Sequence, residues 1–165
     1  MKMRRVLPML ILPCLLSGCS TEGCKNNRNS IPMAGFYDYA TREPLTISGM
    51  GVNGVGAPGD SLLLDPSANA HQVYLPFRGS QTTASFRFIY GSVADRVTFT
   101  YESYPFFDGE ECGAMWRYRI SSVDHTGLLI DSVAVTDPLI TNIERERIMI
   151  FFTIPTSSDD DTPEE

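Results

Sequence analysis

The chain has 165 residues, with 13 basic and 20 acidic side chains and a formal net charge of −7. This length suits one domain with its own core and is short for two. The acidic balance and the lack of a basic stripe in the sequence argue against nucleic acid as a partner. No apolar run reaches the roughly 20 residues that a membrane-spanning helix needs.

Residues 1–18 have the pattern of an export signal, with basic residues first, an apolar run from Val6 to Leu16, and small residues after it. The sequence Leu16-Ser17-Gly18-Cys19 resembles the bacterial lipobox, in which small residues precede the cleavage position and the cysteine thiol accepts a diacylglycerol. We therefore predict lipidation of Cys19, with palmitate-type chains that hold the protein stably on a membrane. The alternative is an ordinary signal peptide followed by an unmodified cysteine.

Cleavage before Cys19 would remove three of the 13 basic residues and no acidic one, so the net charge would fall from −7 to −10. The position after Cys19 is Ser20, whereas aspartate there is the usual signal for inner-membrane retention. We therefore expect a lipid-anchored envelope protein of the outer membrane. Because residues 20–23 contain a single acid, the periplasmic leaflet is favoured over the cell surface.

The four cysteines can each be assigned a place. Cys14 would leave with the signal, and Cys19 would carry the lipid. Cys24 and Cys112 then remain in an oxidising compartment, which favours a disulfide bond between them. Two unpaired thiols or a metal pair are the alternatives, although two cysteines without nearby histidines make a poor zinc site.

From Met33 onward the chain reads as short strands separated by turn residues. The predicted strands cover residues 33–39, 45–50, 61–65, 72–77, 83–91, 95–102, 112–121, 129–137 and 147–154. Alternation is clearest in three of them, where one face carries Phe86, Phe88 and Tyr90, then Val97, Phe99 and Tyr101, then Trp116, Tyr118 and Ile120. The last strand is apolar on both faces, which indicates a central position.

These elements predict a single all-β domain, an antiparallel β-sandwich of the immunoglobulin-like or Greek-key type. A closed barrel is the alternative. The predicted organisation is a signal peptide at 1–18, a lipidated tether at 19–32, the sandwich at 33–155, and a disordered acidic tail at 156–165. A helical turn is possible within residues 141–147.

The motifs that could carry chemistry are weak. Residues 49–54, GMGVNG, match the glycine pattern of dinucleotide sites, but the following VGAPGD cannot open the required helix. We therefore interpret the segment as a flexible connection between strands. His71 and His125 lie in polar sequence and are interpreted as surface residues. We expect no cofactor, no metal and no catalytic residues.

The segment from Tyr104 to Cys112 is predicted to be a loop between two strongly patterned strands. It places aromatic rings beside carboxylates, a combination that could bind a sugar or a peptide. Its candidate ligand-binding residues are Tyr104, Phe106, Phe107, Asp108, Glu110 and Glu111. Paired carboxylates can also hydrolyse glycosides, and acids can bind calcium. The competing interpretation is that the rings cap the core and the acids face water.

Several short motifs occur together: the lipobox, the early Cys24, Phe36-Tyr37-Asp38, the run 74–77, and Glu111-Cys112-Gly113. With Tyr101-Glu102, Pro105-Phe106 and Tyr118, they resemble a family of small lipid-anchored β-proteins of Gram-negative bacteria, a domain of unknown function. The resemblance covers roughly residues 24–153. It implies the disulfide between Cys24 and Cys112 and an envelope location, and it brings no catalytic residues.

Three functions follow as hypotheses. The first is a non-enzymatic envelope component that binds or scaffolds another protein, which an exposed patch at Met149 and Phe151 would support. The second is a carbohydrate- or peptide-binding module that uses the 104–111 loop and requires exposed aromatic faces. The third is a hydrolase, which requires a histidine, a carboxylate and a serine within about 3 Å of one another.

Overall fold

The computed structural model describes residues 29–56, 60–110 and 112–154. Within these ranges the chain forms strands and no helix. The described residues therefore include no helix that could span a membrane. The strands are β1 Met33–Asp38, β2 Ile47–Ser48, β3 Met50–Val55, β4 Leu62–Leu64, β5 Asn69–Ala70, β6 Gln72–Tyr74, β7 Thr83–Tyr90, β8 Val93–Phe107, β9 Ala114–His125, β10 Ile130–Val135, β11 Leu139–Ile140 and β12 Glu146–Phe152.

The strands build two main sheets and confirm the predicted all-β sandwich. One sheet has six strands in the order β11-β9-β8-β7-β3-β4, and the other has four in the order β10-β12-β1-β6. Every pair in the six-stranded sheet is antiparallel. In the four-stranded sheet, β1 and β12 pair in parallel, which departs from the wholly antiparallel arrangement that was predicted. β2 and β5 form a separate short pair.

The core lies between the two main sheets and is rich in aromatic rings. The four-stranded sheet contributes Phe36, Ile148, Ile150 and Phe152, and the six-stranded sheet contributes Met50, Val52, Phe86, Phe88, Val97, Phe99, Tyr101, Tyr118 and Ile120. The rings of Phe36 and Phe152 meet edge to face with centroids 5.3 Å apart, a favoured geometry for aromatic pairs. The alternation seen in the sequence therefore identifies the inward faces correctly.

The prediction of a flexible connection at residues 49–54 is wrong, because this segment contains strand β3. Met50 and Val52 are fully buried, and β3 pairs along its whole length with β7. Gly51 lies against Pro66 and the carbonyl of Ile89. Glycine weakens a strand on its own, but here β7 on one side and β4 on the other hold the backbone extended.

Asp95 is a buried carboxylate that organises the turn between β9 and β10. It accepts hydrogen bonds from the Thr126 hydroxyl at 2.5 Å and from the backbone amides of Leu128, Leu129 and Ile130 at 3.1, 2.5 and 2.8 Å. Burial by itself would raise the pKa of Asp95, but these hydrogen bonds outweigh it and hold the pKa below its usual range. The Asp95 carboxylate thus accepts the backbone hydrogen bonds that a neighbouring strand would accept in a sheet.

The outer face of the four-stranded sheet does not present the apolar patch considered at Met149 and Phe151. Phe151 is only 7% exposed, since the Tyr37 ring packs beside it with centroids 5.6 Å apart and the Arg42 guanidinium lies 4.5 Å from its centroid. Met149 is half-buried. Met149 and Phe151 therefore do not form the exposed apolar patch that would have supported protein binding.

The same face carries a tyrosine–glutamate pair over a glycine. The Tyr37 hydroxyl donates to Glu146 Oε1 at 2.6 Å, and the Glu146 carboxylate lies where a side chain at Gly35 would begin. The hydrogen bond to Glu146, followed by burial, raises the pKa of Tyr37 to about 12. Glycine at position 35 is what allows the carboxylate to sit against the strand.

Replacing Glu146 with alanine, which removes the acceptor of the Tyr37 hydroxyl, is expected to return the pKa of Tyr37 from about 12 toward its ordinary value of about 10. Because the folded state raises this pKa, the associated stabilisation is complete below pH about 10 and is lost as the pH rises through 12. Phenolate absorbance during alkaline titration, with Tyr37→Phe to assign the signal, measures the change. An unchanged titration of Tyr37 in Glu146→Ala would contradict the assigned cause.

Candidate functional site

The first four residues of the segment predicted to be a loop at 104–112 belong to the end of strand β8. Tyr104, Pro105, Phe106 and Phe107 pair with residues 114–117 of β9. The connection is therefore confined to residues 108–113. The sequence suggested a loop because proline and a run of aromatic residues interrupt the period-2 pattern, whereas the pairing partner on β9 keeps this stretch extended.

The strand geometry sends the predicted ligand residues to two opposite faces. Phe107 and Pro105 share one face of β8, and Trp116 of β9 lies opposite Pro105 on that same face. Phe107 is 63% exposed and Trp116 is 43% exposed. Tyr104 and Phe106 point to the other face. The three predicted aromatic residues, Tyr104, Phe106 and Phe107, therefore do not share one face.

The second face is closed by internal contacts. The Arg117 guanidinium lies 3.1 Å from the centroid of the Phe106 ring, a cation–π contact that leaves the ring half-buried. Asp108 accepts a hydrogen bond of 2.5 Å from Asn142 Nδ2, so it ties the hairpin loop to the segment after β11. Glu110 is exposed, and Glu111 lies outside the described residues.

Residues 77–79 form a short segment at the border of the first face. Side-chain hydroxyl groups of β8 and β9 hold this segment by hydrogen bonds to its backbone. The Tyr118 hydroxyl donates to the Phe77 carbonyl at 3.3 Å. The Tyr101 hydroxyl accepts from the Arg78 amide at 3.1 Å and donates to the Arg78 carbonyl at 3.0 Å. Ser103 Oγ donates to the Gly79 carbonyl at 2.7 Å. Burial raises the pKa of Tyr101 and of Tyr118, so both hydroxyls stay protonated and can donate.

Aromatic packing also holds residues 77–79 in place. The Phe77 ring stacks on Tyr101 with centroids 4.4 Å apart and an angle of 8° between the planes, and it meets Tyr118 edge to face at 5.6 Å. The Trp116 ring lies directly over Gly79, in the space that a side chain at position 79 would occupy. A rigid backbone therefore supports one side of the indole and leaves the other side open.

Two open cavities flank this segment. One, of about 520 Å³, is lined by β3, β4, β7 and residues 76–82. The other, of about 450 Å³, is lined by Trp116, Tyr118 and Ala114 together with Asn29 and Ile31, where the described chain begins. Arg78 borders both. Sequence reasoning put Trp116 on the same strand face as Tyr118 and Ile120 and did not single out Arg78 or Gly79, because no local pattern reveals which strand ends extend beyond the opposing sheet.

The other residues considered for chemistry are dispersed. His71 and His125 are both exposed, and the His125 ring contacts the carbonyl of Thr126. Across the described ranges, no group of three histidine, cysteine, aspartate or glutamate side chains is placed to hold a metal ion.

The cysteine predictions fall largely on undescribed sequence. Cys19 and Cys24, like the predicted signal peptide and acidic tail, lie outside the described residues. Cys112 is half-buried in the turn that leads into β9. The lipidation and the pairing with Cys24 therefore stay predictions.

The fold is an all-β domain of two main sheets that has exposed aromatic rings at one end. This geometry by itself does not specify a reaction. The chain belongs to the Family of unknown function (DUF6452), whose model matches residues 45–152. The match includes both main sheets except β1. No curated protein and no solved structure matches the chain.

Proposed function

We propose that this protein is a lipid-anchored component of the bacterial envelope that binds another protein and is not an enzyme. The observation that carries the proposal is the larger of the two open cavities, one wall of which includes Arg78, whose backbone is held by the Tyr101 hydroxyl. A site with rigid walls loses little conformational entropy when it binds. The lipobox at residues 16–19 supports the anchor.

The lining of the larger cavity indicates the kind of partner. Its apolar part includes Leu63 and Phe86, and its rim is rich in hydroxyl and amide groups, with Arg78 as the charged residue. Such a surface suits an extended stretch of polypeptide that offers apolar side chains to the floor, hydrogen-bonding groups to the rim and a carboxylate to Arg78. This proposal favours the protein-binding hypothesis over the carbohydrate-binding loop, whose aromatic residues Tyr104, Phe106 and Phe107 lie on opposite faces of β8.

Site-specific photocrosslinking in native envelopes tests the binding role. A photoreactive residue at Thr82, which lines the larger cavity, is expected to give one discrete crosslinked protein. The matched control is Arg87, an exposed residue on β7, from which that product should be missing. Arg78→Glu should reduce the product formed from Thr82. The same product from both positions, or none from Thr82, would refute this site.

The anchor has its own test. Metabolic labelling with an alkyne analogue of palmitate is expected to mark the protein, and Cys19→Ser should abolish the label and release the protein from membranes. Cys14→Ser serves as the control and should keep the label. Labelling that survives Cys19→Ser would refute lipidation at this residue.

The proposed disulfide between Cys24 and Cys112 is supported by where the chain enters the domain. Asn29 lines the same cavity as Ala114, which follows Cys112 by two positions. Five positions separate Cys24 from Asn29, a span of at most about 18 Å, so Cys24 can reach the turn at Cys112.

We expect alkylation of the denatured protein without reductant to leave Cys24 and Cys112 unlabelled. With reductant, mass spectrometry should show both residues alkylated. Labelling of both before reduction would show that the two thiols are unpaired.

A further inference from the structure

We propose that the end of the domain that carries Phe107 and Trp116 rests in the headgroup region of the membrane to which Cys19 attaches. The proposal rests on the proposed lipid anchor and adds an orientation to it. We refer to Phe107 and Trp116 as the aromatic end.

The aromatic end places two exposed rings next to each other. Phe107 and Trp116 are 63% and 43% exposed. They are diagonal neighbours on one face of the β8–β9 pair. Exposed apolar groups that cluster in this way indicate a contact surface.

The start of the described chain lies at this same end. Asn29 and Ile31 line the cavity that Trp116 also lines. Ten positions separate Cys19 from Asn29, so the lipidated residue can be no farther than about 36 Å from Asn29. If Cys24 is bonded to Cys112, the five positions between Cys19 and Cys24 span at most about 18 Å. The tether then holds the β8–β9 hairpin close to the bilayer.

The chemistry of these side chains suits a lipid interface. Tryptophan has an apolar ring with one polar N–H, a combination that favours the boundary between headgroups and acyl chains. The neighbouring charges are mixed, with Arg78 beside Trp116 and the exposed Glu110 in the hairpin loop. Because neither sign dominates, a zwitterionic surface is the expected match. The acyl chains supply the affinity, and the rings orient the domain.

The chain contains one tryptophan, so its fluorescence reports on Trp116 alone. The native lipoprotein would be reconstituted in phosphatidylcholine vesicles, with and without lipids brominated near the headgroup. We expect a blue shift on reconstitution and a loss of intensity with brominated lipid. Phe107→Glu should weaken both effects. The control Leu62→Glu changes a residue that is 57% exposed on β4, three strands away from β8 in the six-stranded sheet, and should leave them unchanged.

The outcomes separate this proposal from the anchor on which it rests. Vesicle flotation measures anchoring independently of fluorescence. Protein that floats but is not quenched by brominated lipid would overturn the orientation and leave the anchor intact. Protein that does not float would overturn both. A photoreactive residue at position 107 that crosslinks to a protein or a glycan in native envelopes, and not to lipid, would also overturn the orientation.

Discussion

Replacing Asp95 with alanine is expected to lower the free energy of unfolding by about 3–5 kcal/mol, the largest effect that a single polar side chain should have in this domain. The carboxylate is fully buried and accepts from three backbone amides and the Thr126 hydroxyl. Each buried donor left without an acceptor costs about 1–3 kcal/mol.

Urea denaturation followed by circular dichroism measures this loss. Asp131→Ala is the matched control, because Asp131 is exposed and its substitution should change the free energy of unfolding by no more than about 0.5 kcal/mol. Equal stability of Asp95→Ala and the control would contradict the assigned role of Asp95.

Asp95→Asn adds a pH dependence to the same measurement. The folded state lowers the pKa of Asp95, so its stabilisation is present above the unfolded pKa of about 3.9 and is lost as the pH falls through the folded pKa. The difference in stability between the natural protein and Asp95→Asn should therefore narrow below pH about 4. A difference that stays constant down to pH about 2 would contradict this sign.

Phe77→Ala is expected to destabilise the domain by a similar amount, about 3–5 kcal/mol, the usual cost of removing a buried phenylalanine ring. Phe77 is 7% exposed and contacts the rings of Phe86, Phe99, Tyr101 and Tyr118. Loss of the ring should also loosen residues 77–79. Because Gly79 supports the indole of Trp116, the tryptophan emission of the folded variant should shift to the red.

Phe107→Ala is the control for this prediction, since it removes the same ring from an exposed position and should cost no more than about 0.5 kcal/mol. Denaturant titration gives the stability, and the emission spectrum before denaturation reports on the Trp116 environment. Equal losses for the two variants, or an unchanged emission in Phe77→Ala, would show that Phe77 does not support the site.

The strands and their inward faces could be predicted because alternation is a local property. Phe86 and Phe88, or Ile148 and Ile150, are buried as their spacing predicts, since successive residues of a strand point to opposite faces. The central position of the last strand followed from apolar residues on both of its faces, and β12 does lie between β10 and β1.

The errors occurred where a neighbouring strand overrides local preference. The glycines between residues 49 and 54 favour flexibility by themselves, but β4 and β7 hold them extended. Tyr104 to Phe107 were predicted to form a loop, yet β9 pairs with all of them. Phe151 was considered as a possible exposed residue, although Tyr37 and Arg42 cover it.

The sequence by itself determined the all-β class and the alternating faces that fill the core, and it carries the lipobox-like motif at residues 16–19 on which the proposed anchor rests. Each of these depends on neighbours along the chain. Only the tertiary structure decided that β1 pairs in parallel with β12, that residues 77–79 lie against Tyr101 and Tyr118, and that Phe107 and Trp116 stay exposed. These features depend on contacts between residues far apart in sequence, which the periodicity of a single strand does not record.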